Sequence, residues 1–206
     1  MGLISNGTTI FDAGALDSGL AKGAMTFIKK LTASSSGTLS FVNGSSNVGL
    51  DSTYKEYMFT FKNIHPQTDQ VNFSFNGSDD TSSHSYDITK TSTDFAAYQN
   101  EAGNDTDLYY RTGNDLAQGT GIQMIGSAVG SDNDQSTSGF LRLFNPSSTT
   151  FVKHFMAEFN TSVFHDYCTH SFTAGYFNTT AAITAIQFSM SSGNIDAGDI
   201  CLYGIS

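Results

Sequence analysis

The stretch KEYMFTFKNIHPQTDQVNFSFN, residues 55–76, decides the fold. Apolar side chains recur in it at every second position, and these are Tyr57, Phe59, Phe61, Val71, Phe73 and Phe75. The polar residues between them in the second half, Asn72 and Ser74, are expected to face solvent. A two-residue period of this kind indicates a strand with one buried and one solvated side. The stretch therefore predicts two antiparallel strands with a polar turn around His65 and Pro66.

Strand-like segments of the same kind continue along most of the chain. They lie at residues 26–32, 37–43, 85–90, 94–99, 108–112, 121–129, 139–144, 150–159, 170–177, 182–190 and 199–205. Loops rich in Gly, Ser, Asn and Asp separate them. Because parallel strands need long crossover connections and no segment offers a helix for one, we expect antiparallel strands. The pattern predicts an all-β fold, an antiparallel two-sheet β-sandwich of the jelly-roll-like kind.

Two of the strongest segments carry apolar residues on both faces. In TFVKHFMAEF, residues 150–159, Phe155 and Phe159 share one face and Met156 lies on the other. DICLYGI, residues 199–205, is apolar at most of its even and odd positions. Such a strand is covered on both sides, either as a central core strand or by a neighbouring subunit. With so few charges in the chain, these segments predict an oligomer.

Residues 1–24 differ from the rest of the chain. They are rich in Gly and Ala and show no sustained hydrophobic period, and Gly14, Gly19 and Gly23 would interrupt a helix. We interpret residues 1–24 as an extended N-terminal arm and residues 25–206 as one sandwich domain. The arm either drapes over a neighbouring subunit or packs on its own domain and frays. Its apolar anchors for a partner are Ile10, Phe11, Leu16 and Leu20.

The charge balance narrows the choice of partners. Lys and Arg number 9 against 19 Asp and Glu, which gives a net charge of −10. Phosphate groups repel such a chain, so we expect no nucleic acid and no anionic membrane as partner. No stretch approaches the ~20 apolar residues of a membrane-spanning helix. The first residues also lack the basic and apolar regions of a secretory signal.

Signatures of hydrolases, metalloproteases and nucleotide-binding loops do not occur in the sequence, and we predict no enzymatic activity and no cofactor. His165 and His170 could bind zinc, but their spacing puts them on opposite faces of a continuous strand. Acidic loops place oxygen ligands two residues apart, as hard cations prefer. The resulting calcium candidates are Asp105, Asp107, Asp132 and Asp134; the alternative is that they form Asx turns on solvated loops.

A Tyr-Tyr-Arg run offers a candidate sugar contact. Tyr109 and Tyr110 precede Arg111 in a short segment bounded by loops. Amphipathic rings pack well on the faces of sugars, so these three residues are candidate glycan contacts. The alternative is that one tyrosine packs in the core and the other is exposed, because adjacent residues of a strand point opposite ways.

Four longer runs carry a family resemblance. They are IKKLTASSSGTLSF (28–41), LDSTYKEYMFTFKNIHPQTDQVNFSF (50–75), LFNPSSTTFVKHF (143–155) and AGYFNTTAAITAIQFSMSSGNIDAGDICLYGI (174–205). Within them the combination of YKEYMF, NIHP, NPSSTTFVKH and SGNIDAGDI is specific. Together the runs resemble a family of small virion structural proteins of marine tailed bacteriophages, with decoration and tail-fibre-like members. The similarity spans nearly the entire chain and brings no catalytic motif with it.

This resemblance implies a component of a phage particle. We expect a head decoration (cement) protein, made in the host cytoplasm, on the virion exterior. It would be an oligomer, a trimer by preference, whose arm and sandwich contact the major capsid protein and stabilise the head. The alternative is a tail fibre or spike component that contacts tail proteins and binds host surface glycan through loops 76–84, 101–107 and 131–137. No coiled-coil heptads or shaft repeats occur, so a long fibre shaft is not encoded.

Overall fold

The computed structural model describes residues 3–6, 8–12, 15–16 and 23–206. Within these ranges no helix is long and apolar enough to cross a membrane. The strands are β1 (Leu3–Ser5), β2 (Thr8–Asp12), β3 (Ala15–Leu16), β4 (Met25–Thr32), β5 (Thr38–Val42), β6 (Glu56–Pro66), β7 (Val71–Ser78), β8 (Lys90–Asn100), β9 (Thr106–Tyr110), β10 (Gln123–Val129), β11 (Thr137–Phe144), β12 (Lys153–Val163), β13 (Tyr167–Phe177), β14 (Ala185–Met190) and β15 (Ile195–Ile205).

Strands β4 to β15 form one twelve-stranded antiparallel sheet. Its order is β4-β15-β6-β11-β12-β10-β7-β14-β5, and β13, β8 and β9 continue outward from β12. β12 meets β10 only at the pair Val129–Val163. Where the two ends of this path approach each other, Ser36 pairs with Ile195 of β15. The sheet therefore curls on itself until it is nearly closed, and the prediction of an all-β antiparallel fold is confirmed.

Aromatic side chains from facing strands fill the inside of the curled sheet. The ring centroids of Phe61 in β6 and Phe188 in β14 lie 5.0 Å apart, and those of Phe75 in β7 and Phe155 in β12 lie 5.1 Å apart. Both pairs meet nearly edge to face, which is worth ~0.5–1.5 kcal/mol beyond the area they bury. All six alternating residues of the stretch 55–76 are buried. The two-residue period thus predicted this part of the core.

The other side of β7 differs from the prediction because loops cover it. Ser74, expected in solvent, is fully buried. The amide of Asn76, on the same side of the strand, donates hydrogen bonds to the carbonyls of Tyr86 and Thr120. The loops before β8 and β10 are therefore held against β7. The prediction of a strand at residues 85–90 was wrong for residues 85–89, and only Lys90 belongs to a strand. In this segment the Tyr86 carbonyl bonds to the side chain of Asn76 and not to a neighbouring strand.

Strands β1, β2 and β3 form a separate three-stranded antiparallel sheet. Leu3 pairs with Phe11, and Phe11 pairs with Leu16. In its described part the N-terminal segment is thus a small β-meander. Of the predicted anchors, Leu20 lies outside the described residues, and for Ile10, Phe11 and Leu16 only the backbone is described. The division into arm and domain stays a prediction.

A lysine lies buried where β8 meets the core. Its Nζ donates hydrogen bonds to Asn76 Oδ1 at 2.6 Å and to the Ile88 carbonyl at 2.8 Å, and lies 5.7 Å from the ring centroid of Phe177. Burial lowers the pKa of Lys90 to about 8, against a smaller opposing effect of Asp87. At neutral pH the fold therefore keeps a charged ammonium buried, and this burial lowers the free energy of unfolding.

This burial makes the stability depend on pH. The unfolded chain keeps Lys90 protonated to about pH 10.5 and the folded chain only to about pH 8, so between these values the unfolded state binds more protons. The free energy of unfolding then rises with pH. From about pH 8 to about pH 9.5 we expect the wild type to gain about 1–2 kcal/mol relative to Lys90→Met in urea denaturation. Parallel pH profiles of the two proteins would contradict the lowered pKa.

Candidate functional site

Eight strands, β4, β15, β6, β11, β12, β13, β8 and β9, turn one continuous side away from the core. We call this side the outer face. The cross-strand register places seven outer-face residues in one row, and they are Phe27, Tyr203, Met58, Arg142, Met156, Ala174 and Thr93. Because neighbouring strands lie ~4.8 Å apart, the row is ~29 Å long. The outer face is thus as wide as a small domain.

Large apolar side chains on the outer face remain accessible. Phe27 is 57% exposed and Met156 is 52% exposed, and Phe95 of β8 is exposed as well. On the opposite side of β12, Phe155 and Phe159 are buried in the core. β12 therefore has apolar residues on both faces, as its sequence indicates, and only the inner face is covered within one chain.

A groove of about 260 Å³ crosses the outer face between β8 and β11. On one side Phe95 and Phe172 stack with ring centroids 4.9 Å apart and planes 11° apart. Phe140, Arg142 and Met156 line the rest. Aromatic residues, Met and Arg are the types enriched at protein interfaces. Met also adapts its shape to a partner surface, so this groove is suited to apolar contact with another molecule.

Several charged groups on the outer face are paired within the chain, Lys30 with Asp199 among them. Arg142 Nε donates to Glu56 Oε1, and this hydrogen bond raises the pKa of Arg142. His170 Nε2 lies 2.8 Å from Glu158 Oε1. His165, the other histidine of the zinc hypothesis, is exposed at the turn after β12 and the structure does not bring it to His170. Lys62 of β6, opposite Asp199 on the same face, is exposed, so the outer face combines large apolar side chains with charged ones.

The Tyr-Tyr-Arg run is divided between two faces of the sheet. Tyr110 pairs with Phe95 on the outer face, and its hydroxyl donates to Asp115 Oδ2 at 2.6 Å. Tyr109 and Arg111 lie on the other side, where they line a pocket. Tyr109 is 40% exposed and Tyr110 is 49% exposed. The alternative that one of them packs in the core is therefore wrong.

The pocket behind the outer face has a volume of about 340 Å³. We call it the tyrosine pocket and define it by Tyr98, Asp105, Tyr109, Arg111, His165 and Tyr167. Sequence reasoning missed Tyr98 and Tyr167, because β8 and β13 are far apart in the chain and meet only through strand pairing. The sequence signal that could have found Tyr98 was the alternation in DFAAYQ, which puts Asp94 and Tyr98 on the same side of the strand.

The aspartates predicted as calcium ligands have other partners. Asp105 accepts hydrogen bonds from two tyrosine hydroxyls of the pocket, and Asp107 accepts the backbone N–H of the next residue. Asp132 and Asp134 lie in a separate loop, between β10 and β11. Across the described ranges, no group of three or more His, Cys, Asp or Glu side chains is placed to hold a metal ion.

A buried ion pair fixes the floor of the tyrosine pocket. Asp94 of β8 is fully buried and accepts hydrogen bonds from Arg111 Nε and from Thr173 Oγ1, the latter at 2.6 Å. The Arg111 side chain is only 7% exposed. Its backbone N–H also donates to the Asp94 carbonyl at 2.9 Å. Asp94 therefore holds the guanidinium, and Thr173 in turn holds the Asp94 carboxylate.

Comparisons with protein-family models, curated proteins and solved structures found no match to this chain. Two surfaces of the molecule then remain as functional candidates: the outer face and the tyrosine pocket.

Removal of the Asp94 charge should destabilise the fold. Asp94→Asn keeps the shape but leaves the buried Arg111 without a counter-charge, and we expect a loss of about 3–5 kcal/mol in the free energy of unfolding. Thr173→Val, which removes one hydrogen bond to the Asp94 carboxylate and leaves the ion pair in place, should cost less, about 1.5–3 kcal/mol. Chemical denaturation measures both. Equal losses in the two variants would show that the ion pair is not what holds this region.

Proposed function

We propose that this protein is a non-enzymatic structural component of a tailed-phage virion, a capsid decoration (cement) protein that works as an oligomer. The outer face carries the proposal, because it spans eight strands and exposes the large apolar side chains of Phe27, Phe95 and Met156. Exposed apolar patches of this kind mark interaction surfaces on soluble proteins. The resemblance of the sequence runs to virion structural proteins adds the phage particle as the place of assembly.

The outer face fits a second copy of the same chain. Several of its charged groups are paired within the chain, as Arg142 is with Glu56 and His170 with Glu158. Its exposed apolar side chains need an apolar partner, and another copy supplies one. Burial there contributes ~25 cal/mol per Å² of apolar surface. We propose a trimer, in which one part of the outer face of each copy contacts a different part of the outer face of the next copy.

We propose that parts of the molecule other than the outer face attach it to the particle. In our proposal the arm, residues 1–24, ties neighbouring subunits or the major capsid protein to the trimer. Each such contact is weak, but contacts linked in one assembly act at high effective concentration, so together they oppose the pressure of the packaged DNA. The net charge of −10 supports a place on the exterior, since the chain is repelled by nucleic acid. This cohesive role needs neither catalysis nor a cofactor, and we propose neither.

We further propose to class the fold as a jelly-roll-like two-sheet sandwich. The single pair Val129–Val163 between β12 and β10 supports this class, because it divides the path into two halves. One half is β4-β15-β6-β11-β12 and the other is β10-β7-β14-β5. Their aromatic residues face each other, as Phe61 and Phe188 do.

A charge in the middle of the outer face should break the assembly and spare the fold. Met156→Asp places a carboxylate opposite Arg142 in the row of outer-face residues, where a subunit contact would have to bury it, and that desolvation is costly even beside a cation. We expect the wild type to sediment as an oligomer and this variant as a monomer, with a Tm within a few degrees of the wild type. Ile122→Asp is the matched control, because Ile122 is 46% exposed but lies outside the outer face. A monomeric wild type, or an oligomer that survives Met156→Asp, would refute the proposal.

A second candidate function is that of a tail fibre or spike component that binds host glycan. The tyrosine pocket favours it, since it combines three tyrosines with a buried arginine. The number of copies per virion distinguishes a decoration protein on the head from a component of the tail. A decoration protein should be present at hundreds of copies per virion and a tail component at about a dozen. Quantitative mass spectrometry of purified particles measures this number, and about a dozen copies would overturn the decoration role.

A further inference from the structure

We propose that the tyrosine pocket binds a neutral saccharide, whose ring packs on Tyr109 and whose hydroxyl oxygen accepts a hydrogen bond from Arg111. The pocket, at about 340 Å³, is within the range of small-ligand sites. This binding site goes beyond the assembly role, because it lies on the opposite side of β8, β9 and β13 from the outer face.

The aromatic wall of the pocket consists of three tyrosines from three strands. The ring of Tyr98 lies 5.7 Å from that of Tyr109 and 5.5 Å from that of Tyr167, and both pairs meet at steep angles. Tyr109 is the most exposed of the three, so its ring is open to a ligand. Tyrosine offers an apolar ring face together with a polar hydroxyl, and both match the alternating surfaces of a sugar.

Asp105 holds two of these rings in place. The hydroxyls of Tyr98 and Tyr167 donate to Asp105 Oδ1 at 3.3 Å and to Oδ2 at 2.8 Å. Because these donors are engaged, the tyrosine oxygens can still accept hydrogen bonds from a ligand hydroxyl. Partial burial chiefly raises the pKa of Tyr98, and the hydrogen bond to Asp105 raises that of Tyr167, so both remain neutral phenols. The wall is therefore preorganised before any ligand arrives.

Arg111 supplies the cationic group of the pocket. Its Nε is engaged with Asp94, but its Nη2 is buried and has no hydrogen-bond partner among the residues that the structure describes. A buried donor without a partner is destabilising, and more so when it is charged. Because Arg111 lines the pocket, we place a hydroxyl oxygen of the bound sugar against Nη2, which requires the side-chain atoms that enclose this nitrogen to move aside. The guanidinium is too firmly held by Asp94 to turn toward solvent instead.

The charges around the pocket favour a neutral ligand. Asp94 neutralises Arg111, while Asp105 and Asp107, which pairs with Tyr98 across β8 and β9, leave an excess of negative charge. An acidic sugar would be repelled by these carboxylates. A quaternary ammonium group would suit the carboxylates and the rings, but the group itself offers no acceptor for Arg111. A neutral sugar meets both requirements, with hydroxyls that donate to carboxylates and accept from the guanidinium.

In the experiment the full-length protein is titrated with three classes of probe, and binding is measured by NMR and by calorimetry. The probes are neutral hexoses and N-acetylhexosamines with their short oligomers, galacturonate and sialic acid as acidic sugars, and choline as the cation. We expect binding of a neutral sugar, and a loss of tenfold or more in affinity in Tyr109→Ala, which corresponds to about 1.4 kcal/mol. A longer oligomer that binds more tightly than its monomer would indicate a surface polysaccharide as the natural source.

Tyr110→Ala is the matched control, because Tyr110 is the next residue and points to the outer face. It should bind sugar like the wild type. The proposal is overturned if no neutral sugar binds at about 10 mM, if an acidic sugar or choline binds more tightly, or if Tyr110→Ala weakens binding as much as Tyr109→Ala. Met156→Asp distinguishes this site from the assembly role, since it should abolish the oligomer and leave sugar binding unchanged.

Discussion

Adjacent residues of a β-strand point to opposite sides of the sheet, and this alternation governs both the core and the surfaces of the molecule. On β12 it sends Phe155 and Phe159 into the aromatic core and Met156 to the outer face. On β9 it sends Tyr110 to the outer face and Tyr109 to the tyrosine pocket. If the pairing of β12 or of β9 shifted by one residue, the side chains on its two sides would change places. Strand pairing therefore positions every feature on which the proposed functions rest.

Part of the inner side of β8 and β13 carries buried polar groups in place of aromatic rings. Here the buried groups are polar, with Asp94, Thr173 and Arg111 in one hydrogen-bonded cluster. A buried ion pair contributes little to stability compared with a hydrophobic replacement of similar volume. Its effect is to hold the guanidinium at the floor of the tyrosine pocket in a single position. The fold thus carries a polar region next to an aromatic core, at the place where a ligand site lies.

The sequence predicted an all-β antiparallel fold and much of the core, because alternation within one strand is a local property. The burial of Phe59, Phe61 and Phe73 follows from it directly. It could not predict the burial of Ser74, since the loops that cover it come from elsewhere in the chain. For the same reason it singled out Tyr109 and Arg111 but not Tyr98 or Tyr167, which join them only through the pairing of β8 with β9 and β13. Residues that meet through long-range pairing leave no periodic signal in a single sequence.

The two proposed activities are physically compatible because they use opposite sides of the same strands. Contact through the outer face would cover Phe95 and Met156 but leave Tyr109 on the far side of the sheet. An oligomer would then present one tyrosine pocket per copy, and several weak sugar contacts on one particle would combine into strong attachment. Assembly would also stiffen β8 and β13, which carry the buried pair beneath the pocket. The same contacts that hold the copies together would therefore help to keep Arg111 in position for a ligand.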